Sequence, residues 1–153
     1  MNFEEAQPFF ERHHWSVVTT HQANGAAHSS IVVCGAYQGH AGFVSVYGKS
    51  AKVRNLRRDP RCGLLIDNPT TPYKRVSVQG EVEFLPGDFD WIPQARGMAE
   101  RYLGLPGVAY AETTFGFPRV PFYVRAKKIT TWNGEGFDRT FTADTTWHNA
   151  PRP

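Results

Sequence analysis

The sequence contains no long apolar segment and only two cysteines, and both features limit what it can be. No run approaches the roughly 18 to 20 apolar residues that a membrane-spanning helix needs. The N-terminus carries Glu4, Glu5 and Glu11 where a signal peptide would carry positive charge. We therefore expect a cytoplasmic protein, in which Cys34 and Cys62 are reduced, half-buried thiols and not a disulfide.

Three common catalytic motifs are also absent. Gly48-Lys49-Ser50 is similar to the end of a P-loop, but Phe43 occupies the position of that motif's first glycine. No G-x-G-x-x-G follows a predicted strand, and no G-x-S-x-G is present. These absences exclude a P-loop triphosphatase, a dinucleotide site of the Rossmann type and the usual serine nucleophile turn.

The composition favours one β-rich domain over residues 1–153. The chain has 153 residues and a net charge of +3, with 41% hydrophobic residues, too apolar for a disordered chain. Its 14 glycines and 11 prolines, with 14% aromatic residues, favour short strands and many turns. A polar tail is expected over about 137–153.

The first third of the chain predicts a helix and a meander. Helical spacing of apolar residues predicts a short helix over Phe3–His14, and Trp15–His21 is typical of a strand. Asn24-Gly25 predicts a hairpin with positive φ at both positions. A second strand, Ala27–Tyr37, and a third, Phe43–Tyr47, would complete a three-stranded meander.

The rest of the chain predicts a helix, further strands and a second helix. Ser50 is a plausible N-cap for a helix that stops at Pro60. The other predicted elements are strands Cys62–Ile66, Arg75–Leu85 (with a bulge at Gly80) and Phe122–Trp132, a loop Asn68–Pro72, a helix Asp88–Leu103 with Pro93 in its first turns, and an irregular segment over 104–121. About six strands and two or three helices fit a mainly β fold, a small closed or half-closed barrel with helices over its openings.

The positive charge is concentrated between Lys49 and Arg61, which hold six basic residues against Asp59 alone. Lys49 and Lys52 are expected in the first helical turn, where the helix dipole disfavours cations unless an anion binds there. A phosphate fits that position. Arg54 and Arg58 are expected on a solvated face. His28, Cys34 and His40 are evenly spaced, but intervening glycines and a turn argue against a metal site, and we expect none.

These features together resemble a known group of proteins. The hairpin-built barrel, the strand Phe43–Tyr47 and the run from Ser50 to Arg61 resemble the pyridoxamine 5′-phosphate oxidase-like split-barrel superfamily. The likeness is strongest to its flavin/deazaflavin oxidoreductase branch, many members of which use coenzyme F-420. The specific part is Asn55-Leu56-Arg57-Arg58-Asp59-Pro60-Arg61. The resemblance implies a dimeric split β-barrel of the FMN-binding type.

The resemblance also implies a cofactor site. Lys52 matches the family's phosphate-binding lysine, whereas Ala51 or Ser50 stands where relatives carry an arginine, which leaves Lys49 or Arg54 to replace it. The implied cofactor-binding residues are His28, Ser30, Val46, Tyr47, Lys49, Ser50, Lys52, Asn55, Tyr73 and Arg75. Tyr73 and Arg75 would reach the site from the second subunit of a homodimer. The apolar edge of the strand Arg75–Leu85 independently favours a two-fold partner.

The functional hypothesis is an oxidoreductase in which reduced coenzyme F-420 transfers hydride to an activated C=C or C=N bond of a small organic substrate. The alternatives are the same fold with FMN and a non-catalytic binder of haem or a bile pigment. No catalytic residue is assigned, because solvent, Tyr47 and Tyr73 remain equal candidates for the proton donor. The oxidase reaction itself is not expected, since residues 131–153 lack the family's arginine-containing motif. Binding of nucleic acid is not expected either, because the basic patch is confined to one helix.

Overall fold

The computed structural model describes Pro8, residues 15–68 and residues 74–133, with the backbone alone at residues 44–46 and 133. Apart from Pro8, the predicted helix Phe3–His14 lies outside these residues, as do most of the loop Asn68–Pro72, Tyr73 and the polar tail. Among the helices of the described segments, none is long and apolar enough to cross a bilayer.

The described residues form seven strands and two helices, so the fold is mainly β, with one strand more than the six predicted. In chain order these elements are β1 (Trp15–His21), β2 (Ala27–Val33), β3 (Gly35–Tyr37), β4 (His40–Tyr47), α1 (Ala51–Arg58), β5 (Arg61–Asn68), β6 (Lys74–Phe84), α2 (Ile92–Thr113) and β7 (Arg119–Asn133). The strands form one antiparallel sheet in the order β2-β1-β5-β6-β7-β4-β3.

The passage from β2 to β3 makes the sheet a split barrel. These strands are separated by Cys34 alone, yet they lie at opposite ends of the strand order. The sheet must therefore curl until its edges approach, and β2 indeed contacts β4. The predicted single strand Ala27–Tyr37 is wrong because the chain crosses between sheet edges at Cys34. The predicted meander is wrong for the same reason, since β4 pairs with β3 and β7 and not with β2.

The core fills the barrel with side chains that alternate along each strand. Val18, Leu64, Val76, Val78 and Phe122 are at most 1% exposed. Burial of this apolar surface is the main stabilising contribution. Both thiols also belong to the core and are free. The expectation that they are half-buried is corrected, since both are buried, with at most 5% of their surface exposed.

The β1–β2 hairpin forms as predicted, but with a five-residue loop. The Gln22 N–H donates to the Ala26 carbonyl at 2.8 Å, and the Ala26 N–H donates to Asn24 Oδ1 at 3.0 Å. Within this loop only Gly25 has a positive φ, of 83°. The expectation of positive φ at both central positions is therefore wrong, because Asn24 acts through its side chain in a longer loop.

The bulge predicted at Gly80 is confirmed. The β6–β7 register shifts between Gln79 and Gly80, and Lys127 is the extra residue. A Cβ on Gly80 would lie 2.2 Å from the Arg125 carbonyl oxygen, so the backbones approach too closely for a side chain. β6 lies between β5 and β7, so it has no free edge. The argument for a dimer from an uncovered β6 edge is therefore wrong.

Helix α2 is the largest departure from expectation. It starts four residues after the predicted start and runs ten residues beyond the predicted end at Leu103. Gly104, with φ 67° and ψ −165°, kinks it, and Pro106 falls in the first turn of the second helical segment. Proline is tolerated in a first turn, so the predicted irregular segment over 104–121 is helical as far as Thr113. Pro93 lies in the first turn of α2, as predicted.

Candidate functional site

The turn from β4 into α1 presents an uncapped helix N-terminus. The Ser50 N–H donates to the Tyr47 carbonyl at 3.0 Å, and the Arg54 N–H donates to the Ser50 carbonyl at 3.2 Å, which begins the helix. Ser50 occupies the predicted N-cap position, but its side chain makes no capping hydrogen bond. Ser50 Oγ is buried and has no partner among the described residues. The N–H groups of the first turn therefore lack the usual cap.

Two cations of the basic segment remain without a structural role. The ammonium groups of Lys49 and Lys52 make no hydrogen bond or ion pair within the described part of the chain. Lys52 lies in the first turn of α1, as predicted, and partial burial lowers its pKa. Lys49 precedes the helix by two residues, which corrects its predicted place in the first turn. Both lysines flank the N-terminus of α1, where an anion is favoured.

Arg54 and Arg58 are exposed, as predicted, but both side chains donate hydrogen bonds within the chain. Arg54 Nη1 donates to the Lys49 carbonyl at 3.1 Å, so Arg54 fixes the turn that carries Lys49. Arg58 Nη2 donates to the His21 carbonyl at 2.5 Å and to Asn55 Oδ1 at 3.2 Å. Between the two candidates for the missing arginine, this geometry favours Lys49.

The other two basic residues of the segment also have partners. The Arg57 guanidinium lies 5.7 Å from the centre of the Phe84 ring. Arg61 pairs with Asp59 at 2.7 Å, and these hydrogen bonds hold the pKa of the Asp59 carboxyl well below its usual range. Arg57 and Arg61 are therefore held away from the helix start.

Asn55 positions α1 on the barrel. It is 7% exposed, and its Nδ2 donates to Thr20 Oγ1 at 3.0 Å. Thr20 Oγ1 in turn donates to the His28 carbonyl at 3.3 Å, which links α1 through β1 to β2. Both ends of the Asn55 amide are thus occupied within the chain. Sequence reasoning missed Thr20, although it shares the inward parity of the buried Val18.

The inner side of β2 carries two further buried polar atoms without partners. His28 and Ser30 point inward with Val32, as the alternating burial of β2 shows. His28 Nδ1 and Ser30 Oγ have no hydrogen-bond partner among the described residues. Buried polar atoms are nearly always satisfied, so such atoms indicate a missing ligand or water. Three of the ten predicted cofactor residues, His28, Ser30 and Ser50, therefore fit a bound polar group.

The remaining predicted residues are placed elsewhere or not described. Tyr47 ends β4 and lies edge-on to Phe117 at 6.1 Å. The Val46 side chain and Tyr73 lie outside the described residues. The Arg75 guanidinium stacks 5.5 Å from the centre of the Trp132 ring. Arg75 pairs with Asp67, which lies near the start of β1, whereas His28 pairs with the end of β1. Arg75 and His28 of the same chain therefore do not lie in one site.

The evenly spaced histidines and cysteine do not form a metal site in the described residues. His40 stacks on Tyr123 with 4.4 Å between ring centres, and Cys34 Sγ contacts the Gly35 carbonyl at 3.7 Å. Across residues 15–68 and 74–133, no group of three metal-ligating side chains comes together.

The curled seven-stranded sheet, with a basic helix start at its rim, defines a split-barrel protein. The sequence family described as pyridoxamine 5′-phosphate oxidase matches residues 3–133. The chain belongs to this family, which confirms the resemblance in its sequence. No curated protein matches the sequence.

Solved structures share the fold at low sequence identity. The conserved hypothetical protein Rv2991 from Mycobacterium tuberculosis is 22% identical, with a TM-score of 0.73 over 91% of this chain and 90% of that chain. A haem-binding protein from Mycobacterium smegmatis is 23% identical, with a TM-score of 0.62 over 88% and 59% of the two chains. An F-420 reductase is 18% identical, with a TM-score of 0.57 over 81% and 94%.

Proposed function

We propose that the protein is an oxidoreductase that binds reduced coenzyme F-420 at the start of α1 and reduces an activated C=C or C=N bond of a small organic substrate. The observation that carries this proposal concerns three side chains that have no partner among the described residues, the ammonium groups of Lys49 and Lys52 and the Oγ of Ser50. Two cations, a hydroxyl and uncapped helix N–H groups are the donors that a phosphate requires.

Each element of the chain has a distinct role in this proposal. Lys52 and the first-turn N–H groups bind the phosphate, and Ser50 Oγ donates to it. His28 and Ser30 offer inward polar atoms to the edge of a ring system. The bound cofactor supplies the hydride, so the protein needs only to bind, orient and exclude water. A protein whose cofactor supplies the reacting group needs no catalytic nucleophile, which agrees with the lack of a nucleophile motif in the sequence.

The choice of F-420 over FMN rests on charge. F-420 continues beyond its phosphate into a lactyl and polyglutamate tail with several negative charges, whereas FMN ends at its phosphate. Lys49 and Arg54 are exposed at the helix start, where such a tail would leave the site. Arg57 faces Phe84 instead and is expected to contribute little to binding of the tail. Exposed pairs contribute about 0 to 1 kcal/mol each, so the preference is expected to be modest and dependent on salt.

Titration of the purified protein with both cofactors, followed by fluorescence at low and high salt, tests this choice. The proposal expects tighter binding of F-420 that weakens as salt increases. Lys49→Ala should reduce the preference, whereas Lys127→Ala, a surface lysine paired with Glu81, serves as the matched control. Equal or tighter binding of FMN without salt dependence would reject F-420 and leave the FMN alternative.

A second candidate function is binding of haem without catalysis. The observation in its favour is the buried His28 Nδ1, which lacks a partner in the described segments, in a fold shared with a haem-binding protein. A ring nitrogen of neutral histidine can ligate iron. Addition of haem should then give a sharp Soret band that His28→Ala abolishes and His40→Ala retains. Unchanged spectra in His28→Ala would exclude this role for His28.

A further inference from the structure

A separate pocket lies between α2 and the rim of the barrel. It has a volume of about 340 Å³ and is lined by residues of α2, by the flanking Trp91, Thr114 and Phe115, by Arg119, and by Trp15 and Val33 at the ends of β1 and β2. This volume falls in the range typical of sites for small molecules. None of the predicted cofactor residues lines it.

Aromatic pairs hold the walls of this pocket. Trp15 and Tyr102 meet edge to face with 5.7 Å between ring centres. Trp91 and Phe115 are perpendicular at 5.4 Å. Each pair fixes two rings by mutual packing, so the pocket presents preformed flat apolar surfaces. Such walls suit a flat ring system better than a flexible chain, because they are already ordered before binding.

Arg119 is the one charged side chain that lines the pocket in the described part of the chain. Its Nη2 donates to Oγ1 of Thr114, the residue that follows α2, at 2.9 Å, and this hydrogen bond orients the guanidinium. Its Nε is buried and has no hydrogen-bond partner in residues 15–68 and 74–133. A partly buried cation without a carboxylate beside it has lost hydration and gained no compensating charge.

We infer that this pocket binds a flat aromatic molecule that carries one anionic group, a carboxylate or an equivalent oxyanion. The ring system would pack between the aromatic pairs, and the anion would accept a hydrogen bond from the Nε–H of Arg119, which has no partner among the described residues. This inference does not depend on which cofactor the protein uses, since the residues at the start of α1 take no part in it.

Two fluorescent probes with the same ring skeleton test the inference. Anilinonaphthalene sulfonate carries one anionic group, whereas N-phenylnaphthylamine is neutral. The full chain should bind the sulfonate more tightly. Arg119→Gln should weaken sulfonate binding at least about tenfold and leave the neutral probe unchanged, because only the anion loses its charge-assisted hydrogen bond. Arg125→Gln, on the same strand but paired with Glu83 on the surface, is the matched control.

A second variant guards against binding to general hydrophobic surface. Ala95→Trp fills the pocket from α2 and should abolish binding of both probes while circular dichroism shows an intact fold. Equal binding of both probes with no effect of Arg119→Gln would overturn the inference, and so would the absence of binding. Competitive displacement by FMN or F-420 would assign the pocket to the cofactor instead. Lys52→Ala should leave probe binding unchanged, which separates this test from that of the proposed function.

Discussion

Lys52 differs from the arginines of α1 because burial lowers its pKa and no described group neutralises it. Lys52→Ala should therefore weaken cofactor binding by about 1.5–3 kcal/mol, the usual contribution of a charge-assisted hydrogen bond. The melting temperature of the protein without cofactor should change little. Calorimetric titration of both proteins checks this, with Arg57→Ala, which faces Phe84, as the control. Unchanged binding together with a much lower melting temperature would make Lys52 structural.

The two core thiols make stability depend on alkaline pH. Burial raises the pKa of both thiols to about 12. For Cys34 burial is the largest of several causes, and for Cys62 it is the one cause. In the unfolded chain both titrate near about 8.5, so above that pH the unfolded state loses protons first. The free energy of unfolding should then fall as pH rises, by up to about 1.4 kcal/mol per pH unit for each thiol.

Urea unfolding between neutral pH and about pH 10.5 measures this slope. Cys62→Ala removes one of the two thiols and should make the fall with pH about half as steep, whatever it does to stability at neutral pH. An identical slope in the variant would show that other groups cause the alkaline loss.

At the scale of elements, the Gly80 bulge is a position where the backbone of β7 excludes any side chain. Gly80→Ala should lower the free energy of unfolding by about 1–3 kcal/mol, because the contact is with a carbonyl that cannot rotate away. Gly87→Ala is the matched control, since an added Cβ there meets nothing within 4 Å. The control should be neutral or stabilise by about 0.4–1 kcal/mol. Equal effects in chemical denaturation would contradict the bulge argument.

The elements that the sequence predicts well are those with a local pattern strong enough to decide their structure. β1 follows from the alternation of apolar and polar residues, and β6 follows from valines of one parity. α1 follows from Ser50 before its start and Pro60 after its end. The division at Cys34 was not predictable, because it depends on which sheet edges meet far along the chain. The second half of α2 was missed because Gly104 and Pro106 are helix breakers in isolation, whereas packing over the barrel rim allows a kinked helix to continue.

The residues of the candidate site also differ in how far the local sequence predicts them. Lys52 and Ser50 follow from the motif at the helix start, which is local in sequence. Thr20 and Arg119 gave no such signal, because a buried threonine in a strand and an arginine at a strand start have ordinary local patterns. Their roles arise only when α1 and α2 are placed against distant strands.

At the scale of the whole molecule, the chain leaves apolar surface uncovered although β6 is fully paired. Ile31 on the edge strand β2 is 68% exposed, and Leu105 on α2 is 74% exposed. Arg75 and Trp132 also lie on the outside, and the strand register places Arg75 away from His28 of the same chain. A homodimer would cover apolar surface of this kind and would bring Arg75 of one subunit to the site of the other.

We expect a homodimer that persists at micromolar concentration. Analytical ultracentrifugation should then give twice the mass of the chain, and a single monomeric species would contradict the prediction. A shared site makes a stronger prediction. Lys52→Ala and Arg75→Ala should each weaken cofactor binding, but refolding the two variants together should restore tight binding at about a quarter of the sites. Random exchange makes half of the molecules heterodimers, and each heterodimer has one site with both residues intact. No recovery in the mixture would show that each chain binds its cofactor alone.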